Sequence, residues 1–277
     1  KGIKLNHFQC PDNKNYLFIN LTISPGCREG VFPIQFYKGK ERVSTIQYKL
    51  EARRPGSASR KSYTPGDAIY LITPDRFANG FPDNDKIEGM LEGCDRTSKS
   101  SRHGGDIEGI RQHLDYIADL GCSAIWINPL LENNMPKYSY HGYAITDFYK
   151  VDPRMGTNES YKALCEQAHQ MGLKVIMDAV NNHCGLEHWW LKDPPTPDWI
   201  NYYNQDYVET NHRKTLQSDP HAAKEDVTIL ENGWFVPTMP DLNVTNPWLS
   251  IYMIQNSIWW IEYAGIDGIR MDTYLYP

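Results

Sequence analysis

Apolar and polar residues alternate through the first part of the chain, most clearly at Leu17, Ile19, Leu21 and Ile23, with Pro11-Asp12-Asn13, Pro25-Gly26 and Lys38-Gly39-Lys40 as turn punctuation. A period of two predicts a small antiparallel β unit over residues 1–52. Four short strands are fewer than a sandwich usually holds, so the unit is expected to be the latter part of an Ig-like, all-β N-terminal domain. The run RRPGSASRKSYT, within residues 53–66, is basic, Ser-rich and broken by Pro and Gly, which marks a linker.

From residue 67 the pattern changes to strand alternating with helix. Apolar runs at Ala68–Ile72, Ala124–Ile127, Val175–Met177 and Ile266–Met271 predict buried parallel strands. Between them apolar residues recur at helical spacing: Ile107, Ile110, Leu114, Ile117; then Tyr161, Leu164, Cys165, Ala168; then Leu249, Met253, Ile254, Ile258, Ile261. Each helical stretch ends at a glycine (Gly121, Gly172, Gly265) and the next strand follows within a few residues.

The links from strand to helix are long: residues 78–105, 131–158 and 181–245. Compact domains rarely carry such loops unless they are functional, and all three leave the carboxyl ends of strands. That is the active-site face of a (β/α)₈ TIM barrel. An open doubly wound sheet also binds ligands at strand carboxyl ends, but no Gly-rich phosphate loop follows the first strand. The expected fold is α/β: strands 1–4 of a (β/α)₈ barrel over residues 67–277, with a subdomain inserted at about 181–245.

Composition narrows the partner. The 277 residues are 40% hydrophobic and 22% charged, which excludes disorder. A net charge of -6 without a basic block argues against nucleic acid or an anionic membrane. No apolar run approaches the ~20 residues of a membrane span. The 18 Tyr and 8 Trp suit the apolar faces of sugars, and suit cores equally well. Six scattered cysteines form no CxxC pair, so buried free thiols are expected.

Chemistry concentrates at two successive strand ends, Asp178-Ala179-Val180-Asn181-Asn182-His183 and Gly268-Ile269-Arg270-Met271-Asp272-Thr273-Tyr274. Residues two apart on a strand share a face, so Arg270 and Asp272 point the same way and the cation favours an ionised carboxylate, as a nucleophile needs. A structural ion pair is the competing reading of one RxD, and two motifs at adjacent strand ends favour catalysis. In the first long loop Asn79, Asp83, Asn84 and Asp85, closed by His103-Gly104-Gly105-Asp106, cluster hard oxygen ligands of the kind Ca²⁺ accepts; a polar turn is the alternative.

These motifs resemble the α-amylase superfamily, glycoside hydrolase family 13, and within it the neopullulanase and cyclomaltodextrinase group. DAVNNH is similar to the first conserved region, GIRMDTY to the second and Met239-Pro240-Asp241-Leu242-Asn243 to the fifth. Tyr140-His141-Gly142-Tyr143 with Thr146-Asp147-Phe148, and Asp75-Arg76-Phe77-Ala78-Asn79-Gly80, are similar to the exits of the second and first strands. The resemblance covers about residues 67–277, in the family's order.

The resemblance implies a retaining hydrolase of α-1,4-glucosidic bonds in maltooligosaccharides, cyclodextrins, starch or pullulan. Asp272 would be the nucleophile, Arg270 its orienting cation and Asp178 a brace for both. His183 would donate to the sugar at the cleavage point and Tyr143 would stack beneath it, with His141 and Tyr276 as further substrate contacts. Calcium would be held by Asn79, Asn84, Asp85 and Asp106. Two departures stand out: Tyr276 replaces the His, Lys or Glu usual four residues after the nucleophile, and MPDLN falls between MPKLN and QPDLN patterns, so linkage preference is not transferred.

The family's general-acid glutamate and its third carboxylate follow the fifth and seventh strands and have no counterpart here. The chain is therefore expected to need the remaining half of the barrel as its partner and to be inactive alone. A homodimer stays open. Competing readings are a non-catalytic amylase-fold glucan-binding protein and a transglycosylase or sugar isomerase on the same fold. The expected compartment is the periplasm or another exported location in a bacterium, with the cytoplasm as the alternative.

Overall fold

The computed structural model describes residues 2–274 and Tyr276. The chain divides into two compact units, one up to Ser59 and one from Arg60 onward. In the first, β1 (Ile3–Gln9) pairs antiparallel with β2 (Phe18–Ile23), and β3 (Gly30–Lys38) with β4 (Glu41–Leu50). Leu5, Phe8, Val31 and Ile46 stay more than half exposed on these hairpins.

The second unit runs β5 (Ile69–Ile72), α1 (Pro74–Phe77), α2 (Ile107–Arg111), α3 (Leu114–Asp119), β6 (Ala124–Ile127), β7 (Leu131–Glu132), β8 (Asp147–Val151), α4 (Asn158–Gln170), β9 (Lys174–Ala179), α5 (Lys224–Asn232), α6 (Pro247–Ala264) and β10 (Gly268–Met271). Strands β5, β6, β9 and β10 form one parallel sheet in the order β10-β9-β6-β5, successive strands lying side by side as in a partial barrel. Strands β7 and β8 form a small antiparallel ribbon within the second long link.

The core lies between this sheet and its helices. Ile107, Ile110, Leu114 and Ile117 are fully buried, as are Leu164, Cys165 and Ala168 of α4 and Leu249, Trp260 and Ala264 of α6. Each large apolar side chain so buried contributes roughly 1.5–3 kcal/mol. Local signals fix the ends: Thr157 and Ser160 form a capping box on α4, Asn246 caps α6 ahead of Pro247, and Gly265 ends α6 at φ 79°.

At the amino ends of the strands, Asp67 binds Lys174 Nζ at 2.7 Å and accepts from Ser123 Oγ, while Asp267 accepts from the Val175 amide at 2.8 Å and pairs with His169. These ties fix the sheet from below. The long links occupy the opposite, carboxyl-end face.

Three local readings differ from the structure. The apolar period from Ile107 to Ile117 is two short helices, α2 and α3, because the chain turns at His113, whose Nδ1 meets the Gly109 carbonyl at 2.8 Å. Strand β5, at the sheet edge, leaves Ile69 and Leu71 exposed. Of the six free cysteines only Cys165 and Cys184 are buried. In the long third link His188, Trp190 and Trp199 are buried, with Phe148 stacked on Trp190, so these rings are core; Trp189 is 43% exposed.

Candidate active site

Parallel register places Arg270 of β10 directly beside Asp178 of β9. Arg270 Nη1 donates to Asp178 Oδ1 at 2.9 Å and to Asp272 Oδ1 at 2.6 Å, so one guanidinium nitrogen joins two carboxylates. The two acids differ in surroundings. Asp178 is fully buried, and its Oδ2 also accepts from Trp126 Nε1 at 3.0 Å and Tyr143 Oη at 2.9 Å. Burial pushes its carboxyl above the usual range, against the pull of Arg270, Trp126 and Tyr143.

Asp272 is a fifth exposed, and among the described residues its Oδ2 takes only the Thr273 hydroxyl, at 2.9 Å. Thr273 has φ 54°, a left-handed turn straight after the strand that a β-branched residue rarely adopts. Arg270 also lies over the Trp126 ring, 5.0 Å from its centre. The guanidinium is therefore held from three sides with one carboxylate inward and the other toward the mouth.

Tyr143 joins the second link to this cluster: its hydroxyl donates to Asp178 and accepts from Asn128 Nδ2 at 2.9 Å. Its amide donates to His141 Nδ1 at 2.9 Å, which leaves His141 Nε2 as the protonated nitrogen while the ring is neutral. Burial moves His141 below its ordinary value.

His183 is buried, and among the described residues its Nε2 has no hydrogen-bond partner. Burial pushes its imidazole down to about 4, with the Asp272 charge and the Tyr143 backbone opposing. Phe235, from the third link, stacks on the ring at 5.8 Å and 21°. His183 also pairs with Asp241 of the MPDLN segment through an isolated antiparallel bridge. Tyr276 is 8% exposed, its hydroxyl unpartnered.

The first link forms a separate polar centre. Asp106 caps α2 by accepting from the Gly109 amide at 2.7 Å, and it also accepts from the amides of Gly80 and Phe81 and from Asn84 Nδ2. Asn79 Nδ2 donates to Asp85 Oδ1 at 2.7 Å, while the side-chain oxygens of Asn79 and Asn84 are buried without a donor. Gly104, at φ 86°, passes so close that a Cβ there would lie 2.2 Å from Asp85 Oδ1. Two orphaned oxygens beside a carboxylate fit a hard, oxygen-seeking cation such as Ca²⁺. Among the described residues no group of three or more His, Cys, Asp or Glu side chains is placed to hold a metal, so a cation here would rely on amide and backbone oxygens.

Thus Asp178, Arg270, Asp272 and Tyr143 converge through direct contacts, with His183 stacked under Phe235 and His141 behind Tyr143, while Asn79, Asn84, Asp85 and Asp106 form the second centre. Sequence reasoning missed Trp126 and Asn128, although they stand two apart at the end of β6, the spacing that places side chains on one face. It also missed Phe235 and Asn182, whose roles depend on contacts across the third link.

Residues 71–276 match the family described as alpha amylase, catalytic domain, and residues 1–54 match the cyclomaltodextrinase N-terminal family. A cyclomaltodextrinase of Geobacillus thermopakistaniensis is 34% identical over 204 residues, which is 74% of this chain and 33% of that protein. Neopullulanase 2 of Thermoactinomyces vulgaris is 28% identical over 259 residues, 89% of this chain and 38% of that protein. The crystal structure of an Anoxybacillus α-amylase superposes with a TM-score of 0.64 at 38% identity, over 76% of this chain and 42% of that one. The chain thus spans about a third of the length of the curated relatives named here. Among its described residues no helix is long and apolar enough to cross a membrane. With its parallel sheet, its motif order and a family match over most of its length, the chain belongs to the α-amylase catalytic-domain family, glycoside hydrolase family 13.

Proposed function

We propose that these residues supply the nucleophile side of a retaining α-glucan hydrolase acting on α-1,4-glucosidic bonds. The observation that carries this reading is the single Arg270 nitrogen shared by Asp178 and Asp272, with only Asp272 facing the opening. Asp178 is sealed and accepts three donors, so it has neither access nor a free lone pair aimed outward. Asp272 has both.

In this mechanism a carboxylate oxygen of Asp272 attacks the anomeric carbon, forming a glycosyl ester as the bond to the leaving oxygen breaks. The leaving oxygen takes a proton from a general acid outside these residues. Water then attacks the same carbon, giving its proton back to the conjugate base of that acid, as the ester bond to Asp272 breaks, the sugar leaves with retained configuration and the carboxylate is restored. His183 Nε2, buried and unpartnered, donates to a hydroxyl of the bound sugar, and Tyr143 provides a ring face beneath it. Asn79, Asn84 and Asp85, with Asp106 behind them, would hold Ca²⁺, whose role is to neutralise and stiffen the first link.

Maltooligosaccharides and cyclodextrins are the substrate class this reading favours, as neutral sugars whose apolar ring faces suit the Tyr143 ring. The test is Asp272→Asn in the intact gene product: reducing-sugar release from maltoheptaose and from β-cyclodextrin should fall by about 10³-fold or more with the fold retained. Near-normal turnover in that variant would exclude Asp272 as nucleophile.

A further inference from the structure

We propose that Glu92 of the first link and Arg76 of α1 are positioning residues that hold the Ser139–His141 turn and thereby set the affinity for the sugar at the cleavage point. The inference rests on the proposed reading of His141 and Tyr143 as substrate contacts and explains what keeps them in place.

The turn does little to hold itself. It is a single 3₁₀ turn, entered through Tyr138 at φ 62° and left through Gly142 at φ 83°. Tyr138 takes the left-handed conformation without a glycine's freedom, which persists only where the surroundings enforce it. The internal bonds are long, 3.5 Å from His141 N to the Tyr138 carbonyl and 3.3 Å from Gly142 N to the Ser139 carbonyl.

Two contacts from outside supply the hold. The Ser139 amide donates to Glu92 Oε2 at 2.7 Å, the short end for an N–H to oxygen bond, and both residues are buried. The Arg76 guanidinium lies over the neighbouring Tyr140 ring, 4.2 Å from its centre. Both holders are themselves fixed. Arg76 Nη2 donates to the Lys99 carbonyl at 2.9 Å, and its Nη1 lies 3.0 Å from Oδ2 of buried Asp75, which also takes the His103 and Gly104 amides. The Glu92 carbonyl accepts from Arg154 Nη1 at 2.7 Å, and Nη2 of this fully buried arginine reaches the Asn133 carbonyl at 2.7 Å, so one guanidinium ties the first link to the second.

From the turn the contacts run on to the site. Tyr140 meets the His141 ring edge to face, and His141 Nδ1 takes the Tyr143 amide. A turn released from Glu92 and Arg76 carries His141 and the Tyr143 ring with it, while Asn128 and Asp178 retain the Tyr143 hydroxyl. Displacing sugar contacts without touching Asp272 weakens binding more than the chemical step.

The experiment compares two variants of the intact gene product: Glu92→Gln, which keeps a carbonyl oxygen for the Ser139 amide, and Glu92→Leu, which has none. Glu92→Leu should raise KM for maltoheptaose about 5-fold with kcat within about 2-fold of wild type, and Glu92→Gln should restore KM. Hydrogen exchange in the peptide spanning residues 139–143 should quicken about 10-fold in Glu92→Leu and keep the wild-type rate in Glu92→Gln. Arg76→Gln acts on Tyr140 and not on Ser139. It should give the same rise in KM, so the test stands even if Glu92→Leu does not fold.

An unchanged KM in Glu92→Leu and Arg76→Gln, with only the melting temperature lowered, overturns the proposal. So does a Glu92→Gln variant as impaired as Glu92→Leu, or unaltered exchange over residues 139–143 in Glu92→Leu. Exchange needs no turnover, so a wild type that cleaves no glucan would sink the proposed function while exchange still decides whether Glu92 holds the turn.

Discussion

Arg270 stands opposite Asp178 in the parallel ladder between β9 and β10, and its Nη1 reaches both Asp178 and, one residue past the end of its own strand, Asp272. Sheet register therefore places the cation, and strand periodicity places the nucleophile. Removing the guanidinium leaves Asp178 buried without its countercharge. Arg270→Ala is expected to cost about 2 kcal/mol, less than a fully buried pair because a third of the arginine side chain is exposed, and to lower kcat by ~10³-fold. Arg270→Lys should recover part of the stability and little of kcat, since an ammonium loses the planar contact over the Trp126 ring that helps hold the bridging nitrogen in place. Denaturant unfolding and steady-state kinetics on the two variants check both statements.

The Tyr143 hydroxyl sits between Asn128 and Asp178. Tyr143→Phe keeps the ring and deletes both bonds, so stability should fall by about 1.5–3 kcal/mol with a modest loss of turnover. Tyr143→Ala also removes the ring face and should raise KM by ~10-fold or more. A Phe variant as inactive as the Ala variant would mean that the hydroxyl, and not the ring, meets the substrate.

Two buried groups should tilt the pH dependence of stability in opposite senses. Unfolded His183 takes a proton near 6.5 while the folded residue resists it down to about 4, so between those values the unfolded chain binds more protons and stability rises with pH. His188, pushed down to about 3 by burial, adds to that acid limb. Asp241 acts the other way. Its folded form keeps a proton up to about 8, through burial against the Asn201 and Asn182 amides, whereas the unfolded form loses it near 3.8. Its contribution therefore falls as pH rises through that window. Melting curves from pH 4 to 9 should show His183→Gln flattening the acid limb, by on the order of 3 kcal/mol, and Asp241→Asn gaining on wild type from pH 4 to 8. Parallel curves for wild type and Asp241→Asn would refute the raised carboxyl.

Calcium is expected to raise the melting temperature by several degrees at saturation, since a ligand of the folded state alone stabilises it by mass action. Asp106→Ala is a poor probe, because Asp106 also caps α2 and takes the Gly80 and Phe81 amides. Asn84→Leu and Asp85→Ala separate the effects: both should remove the response to added calcium and to chelator. A wild type indifferent to both reagents would remove the metal.

The elements that place the site were readable because they rest on local rules. Strand runs bounded by helix-ending glycines gave the order of the sheet, and two residues of separation put Arg270 and Asp272 on one face. What escaped depends on contacts between distant segments. Nothing local marks Trp126 as the donor to Asp178, 52 positions away, or Phe235 as the cover of His183. The apolar period through α2 and α3 misled because both helices bury the same side, so the break at His113 leaves the pattern intact.

The central claim is that Asp272 forms the covalent bond. Incubating the intact gene product with a fluorinated maltosyl fluoride, which slows hydrolysis of the glycosyl ester, and mapping the modified peptide by mass spectrometry tests it directly. The account predicts one maltosyl label, carried by Asp272 and lost in Asp272→Asn. A label on another carboxylate, or turnover of maltoheptaose by a protein that never acquires one, would contradict it.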